Sequence, residues 1–235
     1  MKAIILAGGK GTRLKPYTTI LPKPLVPVGE KPILSILIHQ LQKSGIKDIV
    51  LCVNHMAELI MAYFGNGEKF GVHIEYSMEE TPLGTIAPLK QVKNLPENFF
   101  LMNGDLLTDM NFAGIFNFHV QSKALATIGA YRRQVNIDFG VMKIENQAIT
   151  DFIEKPQYNY SVSMGIYVFN REILHYVPDR QPYGFDHLML TLLKEKKEIK
   201  AYPYTGYWLD IGRLEDFERA NADILSGAFP LPAGI

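Results

Sequence analysis

The residues best suited to chemistry lie near the N-terminus, in Gly8-Gly9-Lys10-Gly11-Thr12-Arg13 and in Lys23, which Pro22 and Pro24 bracket. Three glycines in four residues let the backbone turn tightly and approach a ligand, because no Cβ stands in the way. Amide N–H groups exposed in such a loop form a concavity that binds anions. Arg13 adds a planar fork of donors and Lys23 a point charge, so the chemistry predicted is the holding of phosphate. Two better-known glycine loops do not fit. The NTPase loop G-x-x-x-x-G-K-S/T has no match, and the dinucleotide pattern G-x-G-x-x-G, started at Gly9 and Gly11, meets Leu14 at its third glycine. Pro16 and Pro22 also argue against a long helix directly after the glycines.

Four further sites carry chemistry, three of them at β-rich runs and the fourth at a helix start. Asp105 follows Phe99–Gly104, and Asp210 lies within Tyr207-Trp208-Leu209-Asp210-Ile211-Gly212. Two ionised carboxylates meeting at one sheet edge need a cation between them, and Mg²⁺ held by one or two carboxylates plus phosphates is the expected arrangement. Taken singly, either aspartate also suits a helix cap or turn. Glu154-Lys155-Pro156 places a carboxylate and an ammonium on a rigid turn, suited to sugar hydroxyls and a phosphate or to an exposed strand end. Gly84-Thr85 offers close backbone approach to a flat base or a phosphate, or ordinary loop-to-helix chemistry. The six histidines are scattered, and a zinc site has no ligand spacing to support it. No G-x-S-x-G elbow is present.

Regular elements must position these groups. Ala3-Ile4-Ile5-Leu6-Ala7 reads as a buried parallel strand that opens into the glycine loop. A helix follows from Pro32, with Leu34, Leu37, Ile38 and Leu41 on one face and Gly45 beyond its end. Strands are predicted over Ile46–Asn54, Val72–Ser77 and Phe99–Asn103, and helices over Met56–Phe64 and from Thr85, as N-cap, to Val92. That β-α-β alternation predicts a parallel sheet covered on both faces, whose ligands bind at the carboxyl edge. The second half predicts a helix at Ala113–Gln121 and strands at Ala124–Tyr131, Gly140–Ile144, Ala148–Glu154 and Ser163–Phe169. Helices at Asp186–Lys196 and Leu214–Leu225 alternate with strands at Ile199–Tyr202 and Tyr207–Ile211. Strands joined by short turns require antiparallel pairing, so one mixed, mainly parallel sheet is expected.

Composition narrows the class. The 235 residues carry no linker, repeat or low-complexity tract, so a single domain over 1–235 is expected. Lys plus Arg (24) balance Asp plus Glu (24), which gives no electrostatic footprint for nucleic acid or an anionic membrane. The single cysteine, Cys52, lies in an apolar run and reads as a small core residue in a reducing compartment. With neither a signal-peptide pattern nor a run long enough to span a bilayer, a cytoplasmic protein is expected. The tail Pro230-Leu231-Pro232-Ala233-Gly234 reads as extended.

Leu6-Ala7-Gly8-Gly9-x-Gly11-Thr12-Arg13-Leu14 with Pro22-Lys23-Pro24 resembles the signature of sugar-1-phosphate nucleotidylyltransferases. The resemblance continues in order through Pro82-Leu83-Gly84-Thr85, Asn103-Gly104-Asp105, Phe139-Gly140-Val141, Glu154-Lys155-Pro156, Gly165-Ile166-Tyr167 and Trp208-Leu209-Asp210-Ile211-Gly212. It implies a three-layer α/β/α Rossmann-like nucleotidyltransferase fold. Residues 1–110 would bind the NTP, 111–225 the sugar 1-phosphate, and 226–235 would be a tail. Leu6, Ala7, Gly8 and Gly9 would line the nucleotide pocket, with Gly84 and Thr85 closing it, and Gly11 and Thr12 would hold the triphosphate. Arg13 and Lys23 would be catalytic, Asp105 and Asp210 would carry Mg²⁺, and Gly140, Glu154, Lys155 and Gly165 would receive the sugar phosphate. Glu79-Glu80-Thr81-Pro82-Leu83-Gly84-Thr85 leans toward guanylyltransferases for mannose- or heptose-type sugars. Ile86-Ala87 and Met164 depart from the usual pattern and leave the sugar open. A homo-oligomer is expected only in that the family is often oligomeric. The competing readings are a non-catalytic nucleotide-sugar-binding regulator and a glycosyltransferase, whose usual Asp-x-Asp motif is missing here.

Overall fold

The computed structural model describes residues 1–79, 83–179 and 181–231. Pro82 of the Pro82–Thr85 motif, with Glu80 and Thr81 before it, lies outside the described residues, as do Pro232, Ala233 and Gly234 of the tail. In chain order, β1 (Lys2–Leu6) leads into the glycine loop, three single-turn 3-10 segments follow, and β2 (Pro27–Val28) pairs with β3 (Lys31–Pro32) as a short ribbon. Then come α1 (Ile33–Lys43), β4 (Asp48–Val53), α2 (Ala57–Phe64), β5 (His73–Met78), β6 (Asn98–Asn103) and β7 (Leu106–Thr108). The second half holds α3 (Phe112–Ser122), β8 (Ala126–Asn136), β9 (Val141–Glu145), β10 (Ala148–Ile153) and β11 (Gln157–Asn170). It ends with α4 (Phe185–Lys194), β12 (Ile199–Tyr204), β13 (Trp208–Asp210) and α5 (Leu214–Leu225).

Seven strands form the central sheet in the order β12-β8-β11-β6-β1-β4-β5. Only β11 runs against its neighbours, because it pairs antiparallel with both β6 and β8 while the remaining pairs are parallel. Strands β1, β4 and β5 step outward in one direction and β6 returns to the other side of β1. That reversal opens a crevice at the carboxyl ends of β1 and β6, where doubly wound sheets bind ligands.

Alternation along each strand divides the core. Ala3, Ile5, Ile49, Leu51, Val53, Phe100 and Met102 point to one face and pack with α1, α2 and α3. Ile4, Val50, Cys52, Phe99 and Leu101 point to the other and pack with Leu188 and Leu192 of α4. The period of two therefore produces the three layers. A third buried cluster lies beneath α5: Leu14, Val26, Leu107, Leu209 and Ile211 meet Ala220 and Phe229.

Three expectations are corrected. The strands do not all join one sheet: β9 and β10 form a separate hairpin, and β7 pairs with β13. Thr85 is no N-cap, since residues Ala87–Gln91 form a 3-10 segment that starts after Ile86 and carries Pro88. The strand expected to end at Tyr131 continues through Arg132 and Arg133 to Asn136 as β8, and both it and β11 are several residues longer than the hydrophobic pattern suggests. The added length is exposed and polar, so only pairing between the two strands sustains it. No helix among the described residues is long and apolar enough to cross a membrane.

One buried polar group ties α3 to the sheet. His119 is 1% exposed. Burial favours the neutral ring, in which Nδ1 accepts from the Thr127 hydroxyl (2.9 Å) and Nε2 donates to Asn98 Oδ1 (3.1 Å). Burial lowers its pKa to about 4. The unfolded chain binds that proton near pH 6.5, so stability is unaffected above that pH and falls as pH drops toward 4. The loss reaches about 3 kcal/mol. Urea midpoints at pH 7 and 4.5 should show this acid sensitivity in the wild type and a shallower one in His119→Gln.

Candidate functional site

The site is built where β1 and β6 end. The N–H of Gly104 donates to Leu6 O (3.0 Å) and that of Ala7 to Cys52 O (2.8 Å), which holds three strand ends level. Gly11 adopts φ +60°, and a Cβ there would stand 2.9 Å from Thr18 Cγ2 and 3.0 Å from Lys23 Cβ. Glycine is thus required both by the left-handed turn and by the lysine stem behind it. The Thr18 hydroxyl closes the loop by donating to Gly11 O at 2.8 Å. As the prolines suggested, the segments Thr12–Leu14 and Lys23–Leu25 are 3-10 turns.

A cavity of about 460 Å³ opens over this loop. Its lining unites Leu6, Ala7, Gly8, Gly9, Gly11, Thr12 and Arg13 with Lys23, Gly84, Thr85 and Asp105. Asp210 stands beside it: the N–H of Ile211 donates to Asp105 O (3.0 Å), and β13 pairs its Asp210 with Leu106. Arg13 reaches the same place, with Nη2 3.5 Å from where a Cβ on Gly212 would stand. Residues separated by about half the chain therefore meet at one edge.

Opposed charges dominate the floor. Lys23 Nζ is ion-paired and hydrogen-bonded to Asp105 Oδ2. Asp105 Oδ1 is buried without a hydrogen-bond partner in this structure. The Asp210 carboxyl is pushed up to about 6, first by burial and then by the Asp105 charge, with Lys23 and Arg13 opposing. A buried acceptor with no donor, next to a second carboxylate that resists ionising, is a donor set suited to a hard divalent cation. Among the described residues no cluster of three or more His, Cys, Asp or Glu could hold a metal. Two carboxylates leave the other coordination positions to phosphate oxygens and water.

Glu79, Asn54, Cys52 and Asn103 also line the cavity, and sequence reasoning assigned none of them to the site: Glu79 and Asn103 entered only within motifs, and Cys52 as a core residue. Glu79 follows β5 directly, accepts the Leu83 N–H at Oε2 (3.0 Å) and is raised in pKa mainly by burial. Asn54 Nδ2 donates to Glu79 O (2.6 Å). The signal available was positional, because Asn54 and Glu79 directly follow parallel strands and Asn103 ends one. Cys52 is buried, and its thiol is pushed up to about 12 by desolvation and by Glu79, as an inert core residue should be.

The other four expected residues lie outside that lining. Gly140, Glu154 and Lys155 stand at the base of the β9–β10 hairpin, where a Cβ on Gly140 would overlap the Phe152 ring and approach Glu154 Oε2. Glu154 and Lys155 are exposed, and Lys155 has φ +46°. Gly165 sits at φ +71° where the β8–β11 pairing slips, and a Cβ on it would meet Asn103 Nδ2 at 2.6 Å. Trp208 Nε1 donates to the adjacent Met164 O at 3.0 Å.

Glycine loop, cations and paired carboxylates at the switch point of a mainly parallel sheet define an α/β nucleotide-binding domain. The chain belongs to the nucleotidyl transferase family, whose model matches residues 2–227. It is 36% identical over 226 residues to a mannose-1-phosphate guanyltransferase of Yarrowia lipolytica, covering 92% of this chain and 62% of that protein. A mannose-1-phosphate guanylyltransferase of Mycobacterium tuberculosis is 33% identical, with 98% of this chain and 66% of that protein covered. The chain thus spans under two thirds of the length of these relatives. Among solved structures, a Bacillus anthracis protein assigned provisionally as a glucose-1-phosphate thymidylyltransferase superposes with a TM-score of 0.74 at 28% identity, covering 94% of each chain.

Gly11→Ala should destabilise the protein by about 1–2 kcal/mol from the left-handed backbone alone, with the Thr18 and Lys23 contacts adding to it. Thermal melts would show it, whereas Gly9→Ala, with open space around its Cβ position, should melt close to the wild type.

Proposed function

We propose that this protein transfers a nucleotidyl group from an NTP to a sugar 1-phosphate, releasing pyrophosphate and forming an NDP-sugar. The observation that carries this reading is the meeting of Arg13, Lys23, Asp105 and Asp210 around one glycine-lined cavity. A regulator that only binds needs no such opposed charges. A phosphate oxygen of the sugar 1-phosphate attacks the α-phosphorus. A new P–O bond forms as the bond from the α-phosphorus to the α,β-bridging oxygen breaks, and pyrophosphate departs with that electron pair. The attacking oxygen is already ionised at neutral pH, so no general base is required. Catalysis is then positioning and charge stabilisation.

In this reading Gly8, Gly9, Gly11 and Thr12 direct backbone N–H groups at the triphosphate. Arg13 faces the departing pyrophosphate and Lys23 the phosphates at the attacked centre. Asp105 and Asp210 hold Mg²⁺, which when bound neutralises charge on the phosphate oxygens. Residues 1–110 form the nucleotide half and 111–225 the sugar-phosphate half, in which Gly140, Glu154, Lys155 and Gly165 receive the second substrate. GTP is the favoured nucleotide. Glu79 brings a carboxylate to the base side of the cavity, and guanine presents two adjacent donors, N1–H and N2–H, to such a group, whereas thymine and uracil present one. The names of the curated relatives make mannose 1-phosphate the first sugar to test.

Pyrophosphate release should be measured across a panel of NTPs and sugar 1-phosphates with and without Mg²⁺. Turnover is expected with GTP, only with Mg²⁺, and should collapse in Asp105→Asn. Tight nucleotide binding with no turnover by any pair would favour a regulatory protein instead. Arg13→Ala should lower kcat about 10²–10³-fold, the loss of roughly 2.7–4 kcal/mol that follows removal of one such donor. Glu79→Gln should lower kcat/KM for GTP at least about tenfold more than for UTP, as expected when one side of a buried base contact is left mismatched.

A further inference from the structure

The loop at Gly84 and the strand kink at Gly165 are joined by a continuous line of contacts. Residues 83–87 run against 183–185. The Tyr183 N–H donates to Leu83 O (2.8 Å), and the N–H groups of Ile86 and Ala87 both donate to Tyr183 O (3.0 and 3.2 Å). Gly84, at φ +89°, makes room, because a Cβ there would stand 2.9 Å from Tyr183 O. The Phe185 N–H then donates to Thr85 Oγ1 at 2.9 Å, which commits the Thr85 hydroxyl to α4. The Phe185 ring stacks on Tyr167 with centroids 4.3 Å apart and planes at 28°. Tyr167 Oη accepts from the Ser163 hydroxyl (3.1 Å), and the Gly165 N–H donates to that same Ser163 oxygen (3.4 Å). Residues 164–166 have no partner on β8, so the Ser163–Tyr167 bond is what spans the slip in register.

We propose that Thr85, Phe185, Tyr167 and Ser163 are positioning residues that join the nucleotide wall at Gly84 to the sugar-side kink at Gly165, so that filling one pocket tightens the other. The proposal rests on the reading of the site as one for an NTP and a sugar 1-phosphate. Its physical content is that a ligand seated against Gly84 fixes Thr85. Thr85 fixes the Phe185 backbone, and the Phe185 ring confines the tyrosine whose hydroxyl holds the bulge. A sugar phosphate seated at the bulge orders the same contacts from the other end. Each ligand then meets a wall whose ordering the other has already accomplished, and the gain is reciprocal.

The test is calorimetric titration of the uncleavable α,β-methylene analogue of GTP with and without saturating mannose 1-phosphate, and the reverse. In the wild type each ligand should tighten the other at least about fivefold. Phe185→Ala should bring that factor close to one while each ligand alone binds within about twofold of the wild type, and Phe185→Tyr, which keeps the stack, should retain it. Thr85→Val should reduce the factor and Thr85→Ser restore it, which gives a reading that does not depend on the Phe185 variants folding. A factor equal in wild type and Phe185→Ala, or a factor of one in the wild type, overturns the linkage. Turnover with an unchanged factor sinks the linkage alone. Absence of turnover with any NTP and sugar 1-phosphate sinks the functional reading and the linkage with it.

Discussion

The structure depends on one apolar cluster placed beneath four charges. Leu14 follows Arg13, Val26 lies three residues after Lys23, Leu107 lies two after Asp105, and Leu209 and Ile211 flank Asp210. All five are buried together under α5. Polar side chains on flexible loops lose entropy when they are held in one geometry. Here that cost is offset by neighbours whose burial is favourable in its own right, at about 25 cal/mol per Å² of apolar surface. The 3-10 turns around Arg13 and Lys23 contribute little regular hydrogen bonding. Their order comes from Leu14 and Val26, each 0% exposed.

That arrangement allows an electrostatic conflict to persist. Asp105 and Asp210 approach each other in a part-buried place where burial and the Asp105 charge raise the cost of ionising Asp210. Lys23 relieves one of them, and the second oxygen of Asp105 remains without a donor. A surface loop carrying such a conflict would open to water, which is the less costly solution. The β7–β13 pairing and the cluster behind it prevent this, so a polar mismatch is held in the lining of a cavity. A group of this kind, strained and turned toward a ligand, is more readily explained by function than by folding.

How much of this could be read from the sequence follows from the range of each interaction. Strand β1, helix α1 and strand β4 carry local hydrophobic periods with Pro32 and Gly45 as punctuation, and their limits agree with the pattern within a few residues. The glycine loop with Arg13 and Lys23 was legible because its chemistry is written in consecutive residues. The pairing of β7 with β13 was not, since it joins segments about a hundred residues apart and each is only three residues long. Thr85 misled for a related reason. Its local setting matches an N-cap, but its hydroxyl serves Phe185, a hundred residues later. Glu79 entered the sequence reading only as the start of the motif that runs to Thr85, because nothing local shows that the sheet order brings the end of β5 to the same cavity.

Two parts of the molecule differ in how firmly they are held, and the difference suits the in-line transfer proposed for it. One side of the cavity is made of strand ends whose backbone groups bond to one another across β1, β4 and β6. By contrast, the hairpin bearing Gly140 and leading to Glu154 and Lys155 belongs to no larger sheet, and Phe139 and Ile149 on it are 77% and 63% exposed. Elements with few buried contacts open at low free-energy cost, whereas a core strand opens only near global unfolding. A phosphorus centre attacked in line tolerates little misplacement, which favours a rigid nucleotide wall. In that reaction a second substrate must also enter and a bulkier product leave, which would favour a looser arm at Gly140, Glu154 and Lys155. The kink at Gly165 stands between the two regimes: it lies on a strand bonded into the sheet on one side and continues into the exposed arm on the other. In the proposed reaction, contacts that fix this kink would set how far motion of the exposed hairpin reaches toward the nucleotide pocket.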